Sequence, residues 1–122
     1  MNHIEAIEYI HSTYKFGSKL GLDNIRDLMK RLGNPQKKLK FIHVAGTNGK
    51  GSTCVMLSYV LTQAGYQTGL FISPYLETFN ERIQMNNSPI SNDDLANSVT
   101  IVKKAVDDML KEGKTHPTEF EV

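Results

Sequence analysis

The residues whose spacing carries the most chemistry are Gly46-Thr47-Asn48-Gly49-Lys50-Gly51-Ser52. They follow an apolar run rich in β-formers, Phe41-Ile42-His43-Val44-Ala45, and a helical pattern begins directly behind them. A strand, a Gly-rich turn, a Lys and a hydroxyl in that order is how a chain holds a nucleoside triphosphate. Glycines let the backbone curl until successive N–H groups point at one spot, and the helix start adds the positive end of its dipole there. Gly46, Thr47, Asn48, Gly49 and Gly51 are therefore candidate phosphate contacts through their backbone. Lys50 reaches the terminal phosphates and is the candidate catalytic residue, neutralising charge as the terminal phosphoryl leaves. Ser52 can ligate a magnesium ion bridging those phosphates. Thr53 either adds a hydroxyl contact or serves as an ordinary first-turn residue.

The spacing is not the common one. A G-x-x-x-x-G-K-[ST] loop would need Gly at position 44 and a hydroxyl at 51, whereas this chain has Val44 and Gly51 with the hydroxyl one place later. The plain alternative is a Gly-rich strand-to-helix turn with an exposed Lys. Other candidates are weaker on their residues alone. Ser73 falls just past a second apolar run, at the rim where open α/β sheets bind ligands, yet Ser before Pro is also a common strand exit. Asn80, Glu81 and Arg82 offer a mixed polar edge or a charged surface loop. Glu119 and Glu121 read as solvated carboxylates, and His43 as a core or rim histidine. His3, His11 and His116 have no partner at zinc-ligand spacing. The single cysteine, Cys54, reads as a small core residue; it excludes an intrachain disulfide and fits a reducing compartment.

Four ordered motifs resemble the folylpolyglutamate synthase / dihydrofolate synthase family, a branch of the Mur-ligase-like enzymes. They are Phe16-Gly17-Ser18-Lys19-Leu20-Gly21-Leu22 with Asn24-Ile25, the loop Gly46 to Ser52 preceded by His43-Val44-Ala45, Ser73-Pro74-Tyr75-Leu76 with Phe79-Asn80-Glu81-Arg82-Ile83, and Thr118-Glu119-Phe120-Glu121 as T-x-F-E. The resemblance covers nearly all 122 residues and the front part of such an enzyme. It implies an ADP-forming ligase that uses ATP and Mg2+ to join L-glutamate to a folate or dihydropteroate through an acyl phosphate, in the cytoplasm, as a monomer. It implies that Ser73 and Glu121 join Ser52 as magnesium ligands. It also implies that Pro74, Tyr75, Phe79, Asn80, Glu81 and Arg82 belong to a loop that helps hold the folate. The residues alone leave open a different P-loop enzyme, such as a small-molecule kinase, or a nucleotide-binding module without catalysis.

The elements that must position these groups follow from periodicity. Residues 2–14 place Ile4, Ile7, Ile10 or His11, and Tyr14 on one side of an amphipathic helix. Asp23 caps a second helix carrying Ile25, Leu28, Met29 and Leu32, stopped by Gly33 and Pro35. A strand over about 39–45, a helix over about 50–64 and a strand over about 67–72 make a βαβ unit with a parallel pair. The middle helix is apolar nearly all round its centre, which predicts deep burial. Arg82 to Ile90 reads as a short hairpin around Asn86-Asn87. Ser91 caps a long helix with Leu95, Val99, Val102, Val106 and Met109 or Leu110 in period, ended by Lys111 and Gly113.

The expected fold is α/β, a P-loop NTPase-like parallel sheet with flanking helices of the Mur-ligase central-domain type. It is laid out as a helical lead-in (about 1–38), the βαβ unit (about 39–72), a substrate loop and hairpin (about 73–90) and the long helix (about 91–112). A parallel sheet this small cannot cover its own faces, so we expect a truncated chain that self-associates and is inactive alone. Net charge is +1, which gives no electrostatic case for nucleic acid or a membrane surface. There is no apolar leader after Met1 and no apolar run of membrane length.

Overall fold

The computed structural model describes residues 1–122 as two compact units. One comprises Met1–Lys40 with Asp93–Val122, the other Phe41–Asn92. The helical lead-in and the long helix thus form one unit, although about fifty residues separate them in sequence.

That first unit is helical. Helix α1 spans His3–Ser12, and Asn2 and Glu5 cap it reciprocally: Glu5 N–H donates to Asn2 Oδ1 at 2.9 Å and Asn2 N–H to Glu5 Oε2 at 2.8 Å. Its buried residues are Ala6 and Ile10, followed by Thr13 in a 3-10 turn, while Ile4 and Tyr14 are exposed. Of the expected Ile4, Ile7, Ile10 and Tyr14 side, Ile10 is buried and Ile7 half-buried, while the inward face is completed by Ala6 instead of Ile4 and Tyr14. Helix α2 spans Asp23–Arg31. Leu22, not Asp23, holds the cap position and makes no side-chain cap bond. Asp23 lies in the first turn, where its charge meets the helix dipole. Helix α4 is continuous over Asn92–Lys111, starting directly after Ser91, and it buries Leu95, Val99, Val106 and Met109 while Leu110 is exposed. Leu28 of α2 packs with Ala105, Val106 and Met109, and Ile25, Leu32, Val102 and Val122 close around them. Arg31 ties α2 to the end of α4 through Glu112, and its pairing with Asp27 adds a second carboxylate. No helix is long and apolar enough to cross a membrane.

Tyr9 of α1 provides a check on this packing. Its hydroxyl is buried without a hydrogen-bond partner, and Lys103, paired with Asp107, sits over its ring. Burial, reinforced by the Asp107 charge, pushes the phenol up to about 12 from 10.0. A raised tyrosine favours the folded state fully below its ordinary value, and that contribution is lost as pH rises through about 12. An absorbance titration should show one of the five tyrosines ionising late, and Tyr9→Phe should remove that step.

The second unit holds helix α3 (Lys50–Gln63) and strands β1 (Gly69–Phe71), β2 (Ile83–Met85) and β3 (Ser88–Pro89). The strands form an antiparallel sheet in the order β1-β2-β3. The expected parallel sheet is not present. β1 pairs with β2 in the register Gly69↔Met85, Leu70↔Gln84, Phe71↔Ile83, and residues 40–46 join no ladder, with Phe41 69% exposed. The cause is local. Asn86 and Asn87 adopt left-handed backbone angles (φ 50 and 66), as a two-residue hairpin turn requires. Asn86 then reaches across to the start of β1: its N–H donates to Thr68 O at 2.8 Å, and its Oδ1 accepts from Thr68 N–H at 2.9 Å. The hairpin thereby fixes β2 on one edge of β1, and the other edge of β1 stays unpaired. Residues 40–46 do not take up that free edge, and an extended segment gains nothing until its N–H and C=O groups are paired.

Helix α3 also departs from expectation. Ser58 is its one buried residue, held by a hydroxyl bond to Asn87 Oδ1 at 2.6 Å. Met56, Tyr59 and Val60 are more than half exposed, so apolarity all round does not produce burial here. Cys54 is half-buried and free, and His43 is exposed.

Candidate functional site

The phosphate-loop residues end at α3 through Gly49, which occupies the cap position with φ +74. A left-handed angle there is accessible to glycine and strained for other residues. No side chain caps the helix, and its first turn holds no acidic residue. The leading N–H groups of α3 are therefore free to meet an anion, with the dipole in support. The Lys50 ammonium folds back over the loop and donates to Gly46 O at 2.6 Å. It is paired with no carboxylate, so its charge remains available to a ligand.

This loop borders a groove of about 770 Å³. Residues 47–52 line one wall with Val55 and Met56 of α3, and Ile72, Ser73, Pro74 and Leu76 line the other. Ser52 and Ser73 thus face the same space. Thr53 lies exposed on the first turn of α3, its N–H bonded to Gly49 O at 3.0 Å. The Ser73–Pro74 peptide is cis. The chain gathers no cluster of three or more His, Cys, Asp or Glu side chains. An ion in the groove would rest on hydroxyl and phosphate oxygens, a donor set that fits magnesium, which keeps water and phosphate ligands beside few protein groups.

Glu121 belongs to the helical unit, whereas Ser52 and Ser73 belong to the other. Its Oε2 accepts from Thr118 N–H at 2.8 Å and from Thr118 Oγ1 at 3.1 Å. It closes a turn on buried Thr118.

The segment from Tyr75 to Arg82 is built around a cation and two rings. The Arg82 guanidinium lies 5.7 Å from the Tyr75 ring centre and 5.4 Å from that of Phe79, and the two rings meet edge to face at 5.9 Å. Phe79 and Asn80 are buried. The Asn80 amide donates to Ile90 O at 2.7 Å and to Asn92 Oδ1 at 2.9 Å, so its hydrogen-bonding capacity goes to bracing the hairpin's exit. The Glu81 carboxylate takes three backbone N–H groups: Leu76 at 2.9 Å on Oε2, and Thr78 at 2.8 Å and Glu77 at 2.9 Å on Oε1. These bonds, those of Leu76 and Thr78 first, hold the Glu81 carboxyl below the usual glutamate range. By residue type Asn80 and Glu81 read as a polar edge or a charged surface loop, and the family resemblance placed them in a folate-holding loop; neither reading gave these bonds. The signal for Glu81 was Thr78-x-x-Glu81, the spacing of a capping box, and Thr118-x-x-Glu121 repeats it.

The match to known proteins accords with this arrangement. No family model matches the chain. Dihydrofolate synthase/folylpolyglutamate synthase of Bacillus subtilis is 47% identical over 118 residues, which is 97% of this chain and 27% of that protein. The solved folylpolyglutamate synthetase from Lactobacillus casei is 39% identical with a TM-score of 0.88, covering 99% of this chain and 30% of that one. A folylpolyglutamate synthase complex with AMPPCP, an ATP analogue, and folate matches over 99% of this chain at 38% identity and a TM-score of 0.86. The fold is thus that of a part of a folate ligase with the Mur-ligase fold. The chain belongs to the folylpolyglutamate synthase / dihydrofolate synthase family. It spans between a quarter and a third of the length of these relatives.

Proposed function

We propose that this chain forms the phosphate-binding part of an ADP-forming ligase that joins L-glutamate to a folate or a dihydropteroate. The observation that carries the reading is the shared groove. An uncapped helix start, an unpaired Lys50, Ser52 and Ser73 border one space, in a chain that matches a complex holding an ATP analogue and folate. ATP lies with its phosphates along residues 46–52, in a P-loop of the tighter spacing. Backbone N–H groups orient the phosphates, and Lys50 leaves Gly46 O to stabilise the charge shifting toward the β–γ bridging oxygen. A folate carboxylate oxygen attacks the γ-phosphorus, the bridging P–O bond breaks, and ADP leaves. The glutamate amine then attacks the acyl phosphate carbon. The C–N bond forms, phosphate departs with the C–O electron pair, and the amine proton passes to solvent.

Ser52 and Ser73 would hold the magnesium ion, and Glu121 is the further ligand that the family resemblance implies. When bound, the ion neutralises phosphate charge. The loop with Pro74, Tyr75, Phe79 and Arg82 holds the folate, whose rings and carboxylate complement an aromatic pair beside an unpaired guanidinium. The test is ADP release by the intact protein. Release should require a pteroate or folate together with glutamate, and the product should gain one glutamate. ADP release with another phosphoryl acceptor and no glutamate would favour a kinase. ATP binding without turnover under all conditions would favour a nucleotide-holding module.

A further inference from the structure

Three features of the 75–82 segment need a common explanation. Its carboxylate, Glu81, points inward to the loop's own backbone instead of outward. Its guanidinium, Arg82, is in no ion pair, although Glu81 is its neighbour in sequence. The Arg82 Nε is buried without a hydrogen-bond partner. A carboxylate released from these amides would be a mobile negative charge close to the guanidinium, competing there with a substrate carboxylate. The three N–H groups remove that competitor. They also convert a stretch with no regular structure at 76–78 into a closed turn, continued by Glu81 N–H to Thr78 O at 3.1 Å and by Gln84 Nε2 to Glu81 O at 2.9 Å.

We propose that Glu81 is a positioning residue: it never touches substrate, but anchors the amides of Leu76, Glu77 and Thr78 so that Tyr75 and Arg82 stand ready with the guanidinium unpaired. The proposal rests on the ligase reading above for what the loop receives, an aromatic ligand carrying a carboxylate. A charged acceptor shared by three N–H groups is the strong form of hydrogen bond. Its removal frees the loop before any ligand arrives. The ordering cost then falls on substrate binding, which raises KM and leaves the chemical step alone.

The test compares intact wild-type protein with Glu81→Gln and Glu81→Ala. Amide hydrogen exchange without ligands should quicken at Leu76, Glu77 and Thr78 in the Ala variant. It should quicken less in the Gln variant, whose carbonyl oxygen can retain the Oε1 partners. KM for the folate substrate should rise about tenfold in Glu81→Ala, with kcat and the KM for ATP within about twofold of wild type. Exchange unchanged while the folate KM rises would make Glu81 a direct substrate contact and overturn the proposal, as would no change in either. If wild type adds no glutamate to any folate or pteroate, the ligase reading fails. The exchange arm still decides: faster exchange at the three amides upholds the anchor, and unchanged exchange overturns it.

Discussion

Lys50→Ala should lower ligation by about 10²–10³-fold, or ~3–4 kcal/mol of transition-state stabilisation, the usual effect of removing one preorganised charge-stabilising group at a reacting centre. The substitution removes the one ammonium over the loop, and no other cation lines the groove. Loss of the exposed Lys50–Gly46 bond should change stability little, since surface substitutions away from caps and cores stay within about 0.5 kcal/mol. The fold should therefore survive while turnover falls. Lys50→Arg restores the charge but as a planar fork on a different reach, so recovery should be partial. ADP release by Lys50→Ala at a near-normal rate would remove Lys50 from the mechanism and, with it, the case for the loop as a phosphoryl-transfer site.

The sequence was most legible where a few adjacent residues decide the geometry. The Gly-rich turn before α3, the hairpin at Asn86-Asn87 and the inward face of α4 all emerged as their local chemistry predicts. Left-handed asparagines and a helix start need no distant partner to be recognised. Strand pairing does need one. The apolar run at 39–45 has the composition of a central strand, but nothing in it specifies which neighbour will offer a ladder, and it joins none while β1 pairs with β2. The groove was half legible: Lys50 and Ser52 come from one motif, while Ser73 reaches the same space through the turn after β1. The inward turn of the Glu81 carboxylate was not legible, because a carboxylate in a polar loop looks solvated. Its three amide partners are set by backbone curvature, which residue types do not display.

Burial is the point on which sequence and structure part most sharply, and substitutions in two helices would measure the gap. Leu28 is 1% exposed at the centre of the helical unit, against Ala105, Val106 and Met109. Leu28→Ala should destabilise by about 2–5 kcal/mol, combining the lost transfer free energy with the cavity left behind. With a slope of roughly 1–3 kcal/mol per molar urea, the unfolding midpoint should fall on the order of 1–2 M. Val60, on a helix that is apolar nearly all round, is 65% exposed. Val60→Ala should change stability by no more than about 0.5 kcal/mol, because it uncovers no buried surface. The contrast separates what hydrophobic pattern encodes from what packing realises: both helices carry apolar residues on their faces, but the Leu28 stripe is buried while the Met56–Val60 side of α3 meets no partner surface within these residues. A Leu28→Ala cost as small as that of Val60→Ala would dissolve the core assigned to the helical unit. A Val60→Ala cost as large as that of Leu28→Ala in the intact protein would mean that further protein covers the outer face of α3, and that its apolar pattern marks an interface.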